Sequence, residues 1–420
     1  MIGPVAVLAL TTSLVACSTN DDANPASTSG DEQVSDVDLS ALGEPNPAAG
    51  DPVLIGFGAG FGDEGQAAGA RQLLDGVQTA VEYQNEYRNG LAGHPIELFT
   101  CDLGALPETA VDCANQFVEK GVAVVLIPVA SNGGSIVPIV TKAGIPYVSF
   151  SATSLEELAS PDAFSIAGGG IAGLGSVALD AEKRGFKTVS HVLIDVPQIT
   201  VVASSVGNPL FEAAGVTQEV IPAPLGTPDL TSQLSTADGD AILISGDAAI
   251  CASALQAYQT LGLDTPLYVQ TTCITDDIAK ALPGIFDGVY VATSLADSED
   301  DGDVFAAMVE KYAPDEDVAR QPVEAGVFAV GVSTLISFAS ALEGIAAPTG
   351  EAISAGLEGA GVQPLFLGDP VTFDCGEPIL ALASSLCSVQ GHIVTLDADG
   401  DVAESQFYDP TDIFAEALSR

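Results

Sequence analysis

The chain has 420 residues, no Trp, 57 acidic against 11 basic side chains and a formal net charge of −46. That length allows about two domains, and a hydrophobic content of 47% supplies a sizeable core. The charge argues against nucleic acid, where Lys and Arg must neutralise phosphates, and against docking on an anionic membrane surface. The acids are spread along the chain, as on a solvated surface.

The N-terminus reads as targeting rather than fold. Val5 to Val15 is apolar but too short to span a bilayer. It ends in Leu14-Val15-Ala16-Cys17 and then turns polar, which resembles a bacterial lipoprotein signal. That resemblance implies a signal over residues 1–17, with lipid on Cys17 after cleavage before it. Met1 to Pro4 carries no Lys or Arg, unlike most secretory signals. Residues 18–51 are rich in Asp, Ser, Pro, Ala and Gly, show no apolar periodicity and read as a disordered tether.

From Pro52 the chain alternates strand and helix. Val53 to Phe57 is a buried strand, followed by a Gly-rich loop from Gly58 to Gly69. A helix follows with Leu74, Val77 and Val81 on one face. Then come a strand from Ile96 to Thr100, a helix opened by Pro107 and closed by Gly121, and a strand from Val122 to Ile127. The loop from Pro128 to Ser135 leads to a helix over Ile136 to Ala143. The strand from Ile145 to Phe150 then breaks into Ser151-Ala152-Thr153-Ser154. A glycine-dense run from Ala167 to Gly175 interrupts the pattern, which restarts with a helix over Leu174 to Arg184 and continues to a strand over Gly288 to Thr293. Helices over Asp303 to Tyr312, Glu324 to Glu343 and near Glu351 to Gly359 follow. The end is strand-rich, at Val371 to Phe373 and His392 to Leu396. Such alternation predicts parallel sheets with right-handed crossovers, in two consecutive blocks and hence two lobes.

Six cysteines besides Cys17 fall into near-sequence pairs: Cys101 and Cys113, Cys251 and Cys273, Cys375 and Cys387. In an exported chain this pattern points to disulfides, with connectivity left open. No CxxC occurs, and His94, His191 and His392 are scattered, so no metal or other cofactor is expected. Gly60 to Gly65 matches GxGxxG between a strand and a helix, but Asp63 and Glu64 would repel a pyrophosphate, and no ribose-binding acid stands at the usual spacing. No nucleophile–base pair is visible, so an enzyme is not expected.

Hydroxyl-rich strand ends recur at Ser131-Asn132, Ser151-Ala152-Thr153, Ser245-Gly246-Asp247 and Thr271-Thr272. Singly, each reads as a cap or turn. Together they describe two facing carboxyl edges that suit a small polar molecule.

Several motifs in order resemble the type I periplasmic-binding-protein fold, specifically the branched-chain amino-acid-binding group of ABC-transporter solute receptors. They are Val53 to Gly56, Asp75 to Val81, Gly90 to Leu98, Ala143-Gly144-Ile145-Pro146 with Ser151-Ala152-Thr153, Gln259 to Leu263 and Asp287 to Tyr290. The resemblance covers about Pro52 to Leu396. It implies an α/β fold of two doubly wound parallel-sheet lobes, with hinge crossings near Ala167–Gly170, Thr293–Ala296 and Phe373–Gly376. Lobe one would be 52–168 plus 293–372, lobe two 169–292 plus 373–405, and 406–420 a C-terminal tail. It implies a monomeric, lipid-anchored extracytoplasmic receptor, without enzymatic activity or cofactor, that hands a small polar solute, an amino acid or amide-like, to an ABC permease. A sensor signalling to a membrane partner is the alternative. The ligand site would comprise Ser131, Asn132, Ser151, Ala152 and Thr153 in lobe one, with Gln198, Asp247, Thr271 and Thr272 in lobe two. Where the resemblance implies a Tyr and an acid for an ammonium group, this chain has Val196-Pro197-Gln198-Ile199 and Thr271-Thr272, with Asp247 as the substitute by position.

Overall fold

The computed structural model describes residues 37–62, 67–104, 106–130, 132–314, 318–377, 379, 383–398 and 400–419. The expected signal, Cys17 and the first half of the expected tether lie outside the described residues. The second half of that tether is folded. A single turn at Leu39–Leu42 buries Leu42 in the core beside the later helix α11, and Asn46 and Ala48 hydrogen-bond through their backbones to Glu86 and Asn85.

The first sheet comprises β1 (Val53–Ala59), β2 (Ile96–Asp102), β3 (Val124–Leu126), β4 (Tyr147–Ser149) and β5 (Ala163–Ser165), all parallel in the order β2-β1-β3-β4-β5. Its crossovers are α1 (Ala67–Tyr87), α2 (Pro107–Lys120), α3 (Gly133–Lys142) and α4 (Leu155–Ala159). β3 and β4 are buried along their whole length, as expected of parallel strands covered on both faces. Pro107 opens α2, and Gly121 closes it in the left-handed conformation at φ +65°, as the sequence implies.

The second block is α5 (Gly169–Arg184), β6 (Thr188–Ile194), α6 (Pro197–Val202), α7 (Asn208–Ala213), β7 (Thr217–Ala223), α8 (Thr231–Leu234), β8 (Ala241–Ser245), α9 (Ala248–Leu261), β9 (Leu267–Gln270), α10 (Asp276–Ala281) and β10 (Tyr290–Thr293). α6 and α7 are joined by a π-helical turn at Ala203–Gly207, so the expected single helix carries a bulge. The glycine run expected to interrupt the pattern is instead the first turns of α5.

The chain then returns to the first sheet with α11 (Glu299–Tyr312), α12 (Val327–Ala341) and α13 (Gly350–Gly359), and with a small ribbon of β11 (Gln363–Pro364) and β12 (Thr372–Phe373). α12 is apolar on nearly every face because it is sandwiched. It crosses α1 so closely that a Cβ on Gly76 would lie 2.1 Å from the Phe328 carbonyl oxygen, and one on Gly331 would lie 2.6 Å from that of Leu73. Finally β13 (Gly391–Leu396) and β14 (Val402–Tyr408) add antiparallel to β10, which gives a seven-stranded sheet in the order β14-β13-β10-β9-β8-β6-β7. The expected tail at 406–420 contains the end of β14 and a helix, α14 (Thr411–Ser419), that packs on α7.

Three stretches pass between the sheets side by side. Ser294 Oγ donates to the Ala167 carbonyl (3.1 Å), which ties the first to the second. A Cβ on Gly168 would lie 2.3 Å from the Ser388 carbonyl oxygen, so the third runs against the first. This third passage falls later than 373–376. The chain stays with β5 through the Ser165–Leu386 bridge and leaves only afterwards, to begin β13 at Gly391.

Candidate functional site

Open α/β sheets bind ligands beyond the carboxyl ends of their strands, where the strand order reverses. Here the reversals fall between β1 and β3 in the first sheet and between β6 and β8 in the second. Between the loops after β1 and β2, one carboxylate oxygen of Asp102 accepts the N–H groups of Phe61 (3.0 Å) and Gly62 (3.2 Å) from the first loop and of Gly104 (3.0 Å) from the second. An internal carboxylate thus occupies the donors that a dinucleotide phosphate would need, in line with the rejected GxGxxG reading.

The loop after β4 is saturated by its own lobe. Ser151 N–H donates to the Pro128 carbonyl (3.0 Å), Ala152 N–H to Ser165 Oγ (3.0 Å) and Thr153 N–H to Glu157 Oε2 (3.0 Å). Thr153 Oγ1 donates to the Ala130 carbonyl (2.5 Å) and lies 3.0 Å from Glu157 Oε2. A hydroxyl has one proton, so with that proton on Ala130 the second contact needs a proton from Glu157. Glu157 is 1% exposed and has Tyr147 OH on Oε1 (2.9 Å) and Ser154 Oγ on Oε2 (2.8 Å). Burial pushes its carboxyl above the usual range, while the bonds from Thr153, Ser154 and Tyr147 pull it back. Ser154 in turn caps α4 by accepting the Glu157 N–H (3.2 Å), and Glu157 reaches back to the N–H of Thr153, one residue before the cap. Gly133 is required above it, since a Cβ there would lie 2.1 Å from Glu157 Oε1.

The two carboxyl edges meet at the start of α5. Gly170 N–H donates to Ser151 Oγ (3.2 Å), and a Cβ on Gly170 would lie 3.3 Å from Gln270 Nε2. Gly169, at φ +45°, has no room for a side chain, because a Cβ would lie 2.1 Å from Ser151 Oγ. Ser151 after β4 and Gln270 at the end of β9 therefore flank one glycine pair.

On the second sheet, Asp247 caps α9 through the Ile250 N–H (2.9 Å), and Thr272 Oγ1 donates to the Gly246 carbonyl (2.8 Å). Thr271 is half-buried beside Gln270, and Asn132 stands half-buried at the start of α3. Ser131 and the Gln198 side chain lie outside what the structure describes. Beneath this edge Ser245 Oγ lies 2.9 Å from His191 Nε2, and Gln218 Nε2 lies 2.6 Å from His191 Nδ1. Burial pushes the His191 imidazole down to about 3, so it is neutral. With Gln218 Nε2 donating to Nδ1, the ring proton sits on Nε2 and is donated to Ser245 Oγ.

The three cysteine pairs are disulfides: Cys101–Cys113, Cys251–Cys273 and Cys375–Cys387. The first ties the Asp102 strand end to α2, and the second ties α9 to the turn at Thr271–Cys273. Among the described residues no group of His, Cys, Asp or Glu is arranged to hold a metal ion, and no helix is long and apolar enough to cross a membrane.

Sequence reasoning brought Asn132, Ser151, Ala152 and Thr153 to one edge and Asp247, Thr271 and Thr272 to the other. It missed Gln270, Ser165, Asp102 and the role of Glu157. The capping pattern Ser154-x-x-Glu157 was a usable signal for Glu157 alone.

Two α/β sheets with facing carboxyl edges, linked by three adjacent passages, define a two-lobed solute receptor of type I. The family described as "Periplasmic binding protein" matches residues 60–379, and the chain belongs to it. The family consists of substrate-binding proteins of ABC transporters, which are extracytoplasmic, bind small solutes and work with the membrane components. No curated protein sequence matches the chain. Among solved structures it is similar to the branched-chain amino acid transporter substrate-binding protein LivJ of Streptococcus pneumoniae, in complex with isoleucine (18% identity, 85% of this chain and 99% of that chain, TM-score 0.66). It is similar also to the fatty acid ABC transporter substrate-binding protein of Thermomonospora curvata (17% identity, 88% and 96% covered, TM-score 0.68). A third is an ABC-transporter solute-binding protein of R. palustris, in complex with 4-hydroxybenzoate (17% identity, 86% and 97% covered, TM-score 0.67).

Proposed function

We propose that this chain is the lipid-anchored receptor of an ABC importer, held at the membrane through Cys17 and capturing a small solute between its lobes. The observation that carries this reading is the family match across 60–379 on a chain whose two sheets meet at Gly169–Gly170, between Ser151 after β4 and Gln270 at the end of β9. The proposed lobes are 52–168 with 293–388, and 169–292 with 391–419, because the chain stays beside β5 through Leu386 before β13 begins at Gly391. Residues 18–36 act as tether. Closure is a hinge motion about the three passages, driven by solute contacts to both lobes.

The similar structures carry isoleucine, fatty-acid and 4-hydroxybenzoate names, so the fold alone leaves the ligand class wide. The polar contacts proposed for this chain are Asn132, Ser151, Gln270 and Thr271, and Ser131 and Gln198 stay candidates from the sequence. Asp247, Thr153 and Thr272 spend their side chains within their own lobes and shape the edges instead. The test is thermal unfolding against a panel of amino acids, amides, aromatic acids and short lipids. A ligand at about a hundred times its Kd raises stability by about 2.7 kcal/mol, a shift of several degrees. Solute uptake in a strain lacking the chain separates import from sensing, because a sensor leaves uptake intact. A panel with no shift, together with unchanged uptake, would sink the receptor reading.

A further inference from the structure

We propose, resting on the receptor reading above, that the captured solute is uncharged, with an apolar body and one neutral polar group, and is not held through a carboxylate. The first ground is hydrogen-bond occupancy. A carboxylate at this edge needs N–H or O–H donors, and those of the loop after β4 are already spent. Pro128, Ser165 and Glu157 take the three consecutive N–H groups from Ser151 to Thr153, and Ala130 takes the Thr153 hydroxyl. Using them on a ligand would strip a buried carboxylate and buried carbonyls of their partners, at a cost comparable with what the new bonds return.

The second ground is the chemistry of what remains. Among the described residues, the candidate side chains at the two carboxyl edges with capacity left are Asn132, the Ser151 hydroxyl proton, Gln270 and Thr271, all neutral, while the Asp195 carboxylate just past β6 stands exposed to solvent. Asp102 and Asp247 are spent on backbone N–H groups. Of the described cations, Arg71 on the first turns of α1 is exposed and folds back toward the Ala67 carbonyl (3.4 Å), and Arg320 is paired with Glu310 (2.5 Å).

The third ground is the surface. Apolar side chains stand exposed in the loops and first turns at both carboxyl edges: Leu106 (62%), Val129 (38%) and Leu155 (50%) on the first sheet, and Val201 (45%) and Leu225 (67%) on the second. Apolar side chains at the carboxyl edges of both sheets leave apolar surface there for the body of a ligand. The formal net charge of −46 adds long-range repulsion of any anion.

The experiment is calorimetric titration of the full chain with two sets of one skeleton each: hexanoate, hexanamide and hexylamine; benzoate, benzamide and benzylamine. The expected result is that the amide binds and both ions bind at least tenfold more weakly. Leu225→Ser, a change at an exposed site, weakens the amide several-fold without changing the melting temperature. Equal or tighter binding of a carboxylate or an amine overturns the inference and leaves the receptor reading standing. Absence of binding in both sets also overturns it. The receptor reading is then judged apart, by whether the chain retains any small molecule from cell extract under native mass spectrometry.

Discussion

Among the described residues each sheet layer fully buries one carboxylate, and the two are handled differently. Asp180, on α5 over the second sheet, has a cation and two phenols: Arg184 Nε at 2.6 Å, Tyr268 OH at 2.5 Å and Tyr408 OH at 2.5 Å. The Arg184 guanidinium also lies 4.0 Å over the Tyr290 ring. Glu157, over the first sheet, has only neutral donors and no cation among its bonds. Asp180 lies toward the far end of α5 from the glycine junction, while Glu157 lies under the loop that contains Ser151 and Thr153. A carboxylate with a cation beside it has its buried charge compensated in place. An uncompensated one ties the geometry of a binding edge to its protonation.

The largest effect expected from testing this contrast is Asp180→Ala, which strands two phenols and a guanidinium. It should cost about 3 to 5 kcal/mol, read as a drop in the denaturant midpoint. Replacing both Cys251 and Cys273 with Ser opens a loop with a sequence separation of 22 and should cost about 3 kcal/mol, with loss of hydrogen-exchange protection confined to the second sheet's edge. Glu157→Gln keeps the shape and most bonds and should cost about 1 kcal/mol at acid pH.

Glu157 over the first sheet and His191 in the second contribute to stability with opposite pH dependence. Because the folded Glu157 carboxyl is raised above its ordinary 4.5, its contribution is present below that value and is lost as pH rises through the folded pKa. The Gln variant should therefore lose this decline on the alkaline side. His191 is depressed from 6.5 to about 3, so its contribution is present above pH 6.5 and is lost as pH falls toward 3. Hydrogen exchange resolved by lobe should show the first sheet loosening as pH rises and the second as it falls. Uniform behaviour of both lobes would break the comparison. The smallest effect belongs to Leu225→Ser, which should change stability by less than about 0.5 kcal/mol.

Much of the fold was legible because parallel strands covered on both faces must be apolar throughout, and β3 and β8 are so written: Val124-Val125-Leu126 and Ala241 to Ser245. Helix ends were legible where Pro107 and Gly121 fix the backbone. The Gly168–Gly170 run was misread as a break because glycine permits both a turn and the crowded first turn of a helix. Only Ser151 and Ser388 pressing against it decide between them. The bulge between α6 and α7 left no mark in the apolar spacing, and the folded stretch from Val37 to Asp51 looks disordered by composition because its order comes from α11 and the end of α1.

By itself the sequence determined the alternation of strand and helix, the two lobes, the hydroxyl-rich strand ends and the neighbouring cysteines, since each depends on residues close along the chain. Tertiary structure alone decided which of those hydroxyls and N–H groups are free. Ala152 meets Ser165 across 13 residues, Ser151 meets Gly170 across 19 and Thr153 meets Ala130 across 23. A donor's availability depends on whichever acceptor the fold delivers to it, and that pairing is fixed only when the strands are in register.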